Sequence, residues 1–178
     1  MKRLSLIMIA LVALSSFSCG LLDKADVTFD ATLPLDFTPI NETAVNPSGK
    51  SYTDSKVLDA TQNADVAKYK DKIKDFKVNK VYYEITEKTV GDNVIFTNGS
   101  ISSGGKAIAT KASQAVVVTP KTEFTSAELS TDGVNALAAA LKADKQATVV
   151  FAGTFSKTPV AFKVRAYFDV TITANALK

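Results

Sequence analysis

The period of the hydrophobic positions changes several times along the chain, and those changes divide it into elements. Val27, Phe29, Ala31, Leu33 and Leu35 share one parity, while Thr28, Asp30, Thr32 and Asp36 hold the other. Alternation over this length predicts a half-buried strand, and Pro34, which has no N–H for a ladder, predicts a place at a sheet edge. Asn41 to Ser51 reads as a loop, with Asn46-Pro47-Ser48-Gly49 as its turn, and Tyr52 to Asp59 as a short strand. From Asn63 the period lengthens. Val66, Tyr69, Ile73 and Phe76 recur at three and four residues, which predicts an amphipathic helix over 64–76, capped by Asn63 or Asp65.

Strand chemistry then returns. Val81, Tyr83 and Ile85 point inward against Tyr82, Glu84 and Thr86 in a strand from Val78 to Lys88, and Gly91-Asp92-Asn93 turns the chain into Val94 to Ile101. Asn98-Gly99 fits either a tight hairpin or a bulge inside a longer strand. Ser102 to Lys106 is a turn, with strand material around Ala107 to Ala109 and Ala115 to Thr119. Ser130 or Thr131 opens a second helix over 131–143, where Val134, Leu137, Ala138 and Leu141 form one apolar stripe. Thr148 to Phe155 is a strand, and Lys157-Thr158-Pro159 leads into the longest one. From Val160 to Ala174 every even position is apolar, while the odd ones include Lys163, Arg165, Tyr167, Asp169, Thr171 and Thr173.

Strands joined mostly by turns, with two helices between them, predict a mainly β fold: an antiparallel β-sandwich of about 7–8 strands with helical insertions near 64–76 and 131–143.

The apolar run that precedes these elements belongs to a different kind of segment. Lys2 and Arg3 give a positive start, Leu4 to Leu14 are apolar except for Ser5, and Ser15, Ser16, Phe17 and Ser18 lead to Cys19. Charge, a short apolar stretch and then small residues make a secretory signal, and the stretch is too short to cross a bilayer core of ~30 Å as a helix. Residues 1–18 are therefore set apart as a signal peptide, 19–25 as a short tether and 26–178 as a single domain. A domain of this size buries roughly 68–70% of its extended surface, enough for a core without staples. With Cys19 as the sole cysteine, no disulfide forms within the chain.

Ser16-Phe17-Ser18-Cys19-Gly20 resembles the lipobox of bacterial lipoproteins, whose cysteine is acylated and becomes the first residue of the mature protein. Ser18 fits the usual pattern, whereas Ser16 stands where Leu is usual and Phe17 where a small residue or Val is usual. Looser boxes of this kind occur among lipoproteins of the Bacteroidota and spirochaetes. The resemblance implies lipidation of Cys19 and a membrane partner held through that lipid. Ser16-x-Ser18 also meets the small-x-small rule of ordinary secretion, which would leave the same cysteine free.

Gly20 follows the cysteine where the enterobacterial inner-membrane retention signal has Asp, and only Asp23 and Asp26 supply nearby acid. The expected location is thus the outer membrane, on its periplasmic side rather than the cell surface. The stretch from Asp65 to Phe76, running on into Val78-Asn79-Lys80-Val81, resembles small uncharacterised lipoproteins of the Bacteroidota. That resemblance implies a β-sandwich in the envelope and brings no catalytic residue with it.

Charge and residue types narrow the chemistry. Removing Lys2 and Arg3 leaves 21 − 2 = 19 basic against 18 acidic residues, so the +3 of the full chain becomes +1. A near-neutral domain lacks the basic excess of a nucleic-acid binder. Without histidine, Ser-His-Asp and Cys-His catalysis and the commonest zinc ligand are ruled out, and without Trp a sugar-stacking platform is weakened.

Several partial motifs read better as structure. Ser103-Gly104-Gly105-Lys106 has S-x-x-K spacing but sits in a Gly-rich turn, without the S-D-N and K-T-G partners of penicillin-binding enzymes. Nor is it a P-loop, because Ser100 and Ala107 occupy the positions of the first Gly and the magnesium-binding Ser/Thr. Glu84 and Glu87, three apart on one strand, are expected on opposite faces and so cannot flank a glycosidic bond. Lys68, Lys70, Lys72, Lys74 and Lys77, with Asp71 and Asp75 among them, read as a solvated helix face rather than a headgroup-binding patch. No acidic loop for calcium is present.

The expectation is a non-enzymatic binding or structural domain without cofactor or metal, meeting an envelope protein or glycan. The alternative is a periplasmic carrier of a lipid or other apolar ligand held between sheet and helices. A hydrolase using carboxylates alone stands third.

Overall fold

The computed structural model describes residues 25–176, so the signal segment, Cys19 and most of the tether lie outside it. Two antiparallel sheets pack face to face, as a mainly β sandwich requires. In chain order the elements are β1 (Asp26–Asp36), β2 (Ile40–Asn46), β3 (Lys50–Asp59), α1 (Ala64–Tyr69), β4 (Ile73–Val90), β5 (Ile95–Ser103), β6 (Lys106–Ala115), β7 (Thr119–Glu123), α2 (Thr131–Asp144), β8 (Gln146–Phe155) and β9 (Thr158–Asn175). The first sheet runs β1-β9-β4-β7, with β2 continuing along the β1 edge of β9, and the second runs β3-β8-β5-β6.

β9 is the spine of the first sheet. Its even positions, Val160 through Ala174, are all buried, and its ladder with β1 runs without a shift from Asp26↔Asn175 to Asp36↔Arg165. The inward faces of both sheets meet in one core that includes Leu33, Leu58, Val81, Ile108, Val149, Phe155 and Phe168. Phe96, Phe151 and Phe155 cluster on the second sheet, with ring centroids 5.0–5.1 Å from Phe96, and Phe155 meets Phe162 of β9 across the gap at 5.7 Å. β1 is an edge strand, as Pro34 predicts, with Leu33 and Leu35 inward.

The helix α2 covers one side of the sandwich against β4, β6 and β8. Ser130 caps it by accepting from the Gly133 N–H, and Leu137 and Leu141 are fully buried. Its first turn lies so close to β6 that a Cβ on Gly133 would fall 1.8 Å from the Ala107 carbonyl oxygen. Glycine is required there by space, not by dihedral freedom.

Five expectations need correction. The helix predicted over 64–76 stops at Tyr69, and after a 3₁₀ turn over Lys70–Lys72 the chain is already strand β4 from Ile73. The supposed loop at 41–51 contains β2, with the turn at Asn46-Pro47-Ser48-Gly49 where composition puts it. The strand material expected over Ala115 to Thr119 is displaced, because β6 already ends at Ala115 and the next strand, β7, begins only at Thr119; with β2 the strands among the described residues number nine. Lys68, Lys70, Lys72, Lys74 and Lys77 do not share a helix face, because they are divided among α1, the 3₁₀ turn and β4. Glu84 and Glu87, expected on opposite faces of their strand, share one face, because β4 carries an extra residue between Ile85 and Glu87. Asn98-Gly99 resolves as a bulge: Asn98 takes a left-handed φ of 51°, and β5 gains one residue on β8 between Thr97 and Ser100.

Candidate functional surfaces

Three regions have enough shape or polarity to act on another molecule. The first is the space between the sheets. A cavity of about 50 Å³ lies among Tyr83, Phe96, Phe124, Phe151 and their neighbours, with room for a water or two. Its rim is held by polar bonds: the Tyr83 hydroxyl donates to Gln114 Oε1 at 2.7 Å, and Lys111 Nζ donates to Glu128 at 2.7 Å. Lys111 holds the Glu128 carboxyl below the usual carboxylate range, helped by donation from Thr125 N and Oγ1 against the opposing effect of burial.

The second region is the outer face of the first sheet. Tyr82 and Tyr167 are directly opposite on β4 and β9, and Lys121 from β7 reaches over both rings, 4.1 and 4.8 Å from their centroids. Around them every cation has a carboxylate: Arg165 grips Asp36 with two bonds of 2.6 and 2.9 Å, Lys80 meets Glu123 at 2.9 Å, and Lys121 meets Asp169 at 3.7 Å. The Arg165 guanidinium is held further toward its charged form by Asp36. Tyr167 donates to Glu84, and that bond, aided by burial, raises the phenol above its usual range.

Glu84 and Glu87 both lie on this outer face. Glu84 is opposite Arg165, Glu87 is opposite Lys163 and pairs with it at 2.6 Å, and Thr86 between them is an extra residue with no partner. The bulge re-phases β4, so the expectation of opposite faces fails. Each carboxylate is held by its own cross-strand partner, a tyrosine hydroxyl for Glu84 and an ammonium for Glu87.

The third region is a groove of about 470 Å³ between α2 and the first half of β4. Val134, Ala138 and Ala139 form the helix wall, Phe76 and Val78 the floor, and Asp75, Lys77 and Lys142 the rim. Beyond the groove, β7 pairs with β4 only from Tyr82 to Ile85, and Phe124 donates to the Val81 carbonyl. Along residues 73–80 no other strand among those described pairs with the side of β4 turned away from β9. The hydrophobic pattern does not predict this groove, because it assigns Asp75 and Phe76 to a helix and starts the strand only at Val78. The run Ala138-Ala139-Ala140 was the available signal, since small residues on a helix leave its flank open.

The remaining sequence candidates are placed without forming a site. Ser103 and Lys106 pair across the β5–β6 hairpin, whose turn is Gly104-Gly105. Cys19 lies outside the described residues. Among the described residues no three His, Cys, Asp or Glu side chains gather as metal ligands, and no helix is long and apolar enough to cross a membrane. No family model and no curated protein matches the chain.

Proposed function

We propose that this chain is an exported lipoprotein of the bacterial cell envelope, anchored through Cys19, whose sandwich is a non-enzymatic binding or structural module. The observation that carries the proposal is the order of residues before the domain: a positive start, a short apolar run, small residues and then an unpaired cysteine. A two- or three-chain lipid anchor, at ~0.8 kcal/mol per buried methylene, holds a protein stably at the membrane where a single chain binds only reversibly.

The geometry of the described residues is consistent with attachment at one end. Asp26, the first residue of β1, is opposite Asn175 and its carboxylate pairs with Lys74, so the chain enters the sandwich at the α1 end. About six residues separate it from Cys19, a reach of ~20 Å when extended, so the α1 end lies against the bilayer. The outer membrane, periplasmic side, is the location proposed.

Replacing Cys19→Ser should abolish fatty-acid labelling and release the chain from membranes. Retention of the variant in the membrane fraction would sink the anchor, and an unlabelled wild-type chain in the soluble fraction would mark ordinary secretion.

A carrier of an apolar ligand is the alternative, and it needs an interior of several hundred Å³. The inter-sheet cavity of about 50 Å³ favours binding at the surface instead. Native mass spectrometry of the purified chain separates the two, since a co-purifying lipid would reverse that preference.

A further inference from the structure

We propose that the groove between β4 and α2 takes an extended peptide segment of a partner protein, which adds to the free edge of β4 as one more strand. The proposal rests on the reading of the sandwich as a binding module and names the chemistry of its partner. Strand edges present backbone donors and acceptors at a fixed repeat, and only another extended backbone satisfies them in a row. β4 offers such a row beside an apolar wall. Phe76 and Val78 floor the groove from the core side, while Val134, Ala138 and Ala139 keep the helix wall low enough for side chains to enter.

Its length is set by the chain itself. Register shifts between Ile73 and Asp75 and between Val78 and Lys80 interrupt β4, which leaves Asp75 to Val78 as the regular run. Such bulges blunt an edge against long, unselective pairing and leave a short stretch for a defined one.

Charge selects against a second copy of this chain. Two such edges paired about Lys77 would set that lysine against its own copy, and like charges opposite one another destabilise a pair. Lys74 and Lys80 are already paired with Asp26 and Glu123, whereas Lys77 makes no ion pair among the described residues. Across the groove Lys142 reaches Asp75 at 3.3 Å, with both side chains more than half exposed. The rim therefore carries an excess positive charge at Lys77. The fitting partner segment is extended, with small or β-branched residues toward Ala138 and a carboxylate placed to meet Lys77.

The test uses the purified full-length chain and a pool of capped hexapeptides. Alternate positions are fixed as Val or Ala and the others randomised to include Glu, Thr and Lys. Hydrogen exchange read by mass spectrometry should show the fragment spanning residues 73–80 exchanging faster than β9 in the free chain, and slowing when the pool is added. Selected peptides should carry Glu, and methylating their alternate backbone nitrogens should abolish the protection. Lys77→Glu should weaken an acidic peptide by about threefold, as for an exposed charge pair, and a Lys-for-Glu peptide should recover it. Ala138→Arg, checked for native circular dichroism, should close the groove.

Protection elsewhere, binding that survives backbone methylation, or no protection from any pool member overturns the proposal. So does a free chain already protected at 73–80 as a dimer, which would make a second copy the occupant. None of these results depends on Cys19→Ser, so failure of the groove and failure of the anchor are read separately.

Discussion

β9 and β4 are both eighteen residues long and lie side by side, yet one is unbroken and the other is interrupted four times. β9 is flanked on both edges, by β1 and then β2 on one side and by β4 on the other. An extra residue there would break two ladders and turn the following side chains to the wrong face, because side chains alternate with a period of two. β4 is flanked throughout by β9 but by β7 only over Tyr82–Ile85. Along most of its length an extra residue can bow outward at the cost of one ladder. A second neighbour holds β9 to its register, whereas an open edge permits irregularity without imposing it: β4 is interrupted, while β1, also at an edge, has no shift.

That contrast is broken most severely by an insertion. One alanine added between Tyr167 and Phe168 would reverse the parity of half of β9 against both β1 and β4. No cooperative thermal transition by circular dichroism is expected. One alanine added beside Asn79, at a bulge that already separates Val78 from Lys80, should leave a cooperative transition. If both insertions melt alike, the number of neighbours is not what governs tolerance.

The same contrast explains which elements the hydrophobic pattern reveals. β9 was legible because each inward residue stands two positions from the next, from Val160 to Ala174. At the start of β4, extra residues put three positions between Ile73 and Phe76, and again between Val78 and Val81. A spacing of three following Val66 and Tyr69 imitates a helical stripe, and so the predicted helix ran on to Phe76. The same effect placed Glu84 and Glu87 on one face. β2 was hidden for another reason: it lies on an edge with only Ile40 buried, so Asn41, Glu42 and Thr43 look like loop. The groove depended on seeing β4 and α2 together, and neither period alone predicts that.

Side-chain truncation gives the next largest effect. Phe168 is fully buried and opposite Val81 on β4 and Leu33 on β1, so Phe168→Ala should cost about 3–5 kcal/mol in chemical denaturation. Phe76 is buried too, but it lies on the groove floor rather than between two strands, and Phe76→Ala should fall near the lower end of that range, about 3 kcal/mol. Equal losses would mean that the groove is as tightly covered as the spine.

Deleting Thr86 sharpens the comparison at one residue. Thr86 is the unpartnered member between Ile85↔Val164 and Glu87↔Lys163, so its removal restores period two without moving either pair. A loss of about 1–2 kcal/mol is expected, from local twist alone. A double-mutant cycle between Glu87 and Lys163 should return the same coupling with and without Thr86. A coupling that vanishes on deletion would show that the bulge, rather than the register beyond it, holds the pair.

The smallest effect links the two strands and depends on pH. Tyr167 on β9 donates to Glu84 on β4, and this bond raises the phenol above its ordinary value of 10.0 in the folded state. A group whose folded pKa is raised adds stability that is fully present below the unfolded value and is lost as pH rises through the folded one. Between pH 7 and 9, Tyr167→Phe should therefore cost about 1 kcal/mol, a hydrogen bond to a charged group reduced by its partial exposure. Above pH 10 the wild type should lose that advantage, because a phenolate no longer donates and repels the carboxylate beside it. Denaturation midpoints of both proteins measured from pH 7 to 11.5 should converge. A gap that stays constant across the range would mean that Tyr167 stabilises the pairing through its ring against Lys121 and Tyr82, and that the hydroxyl contributes nothing to holding β4 on β9.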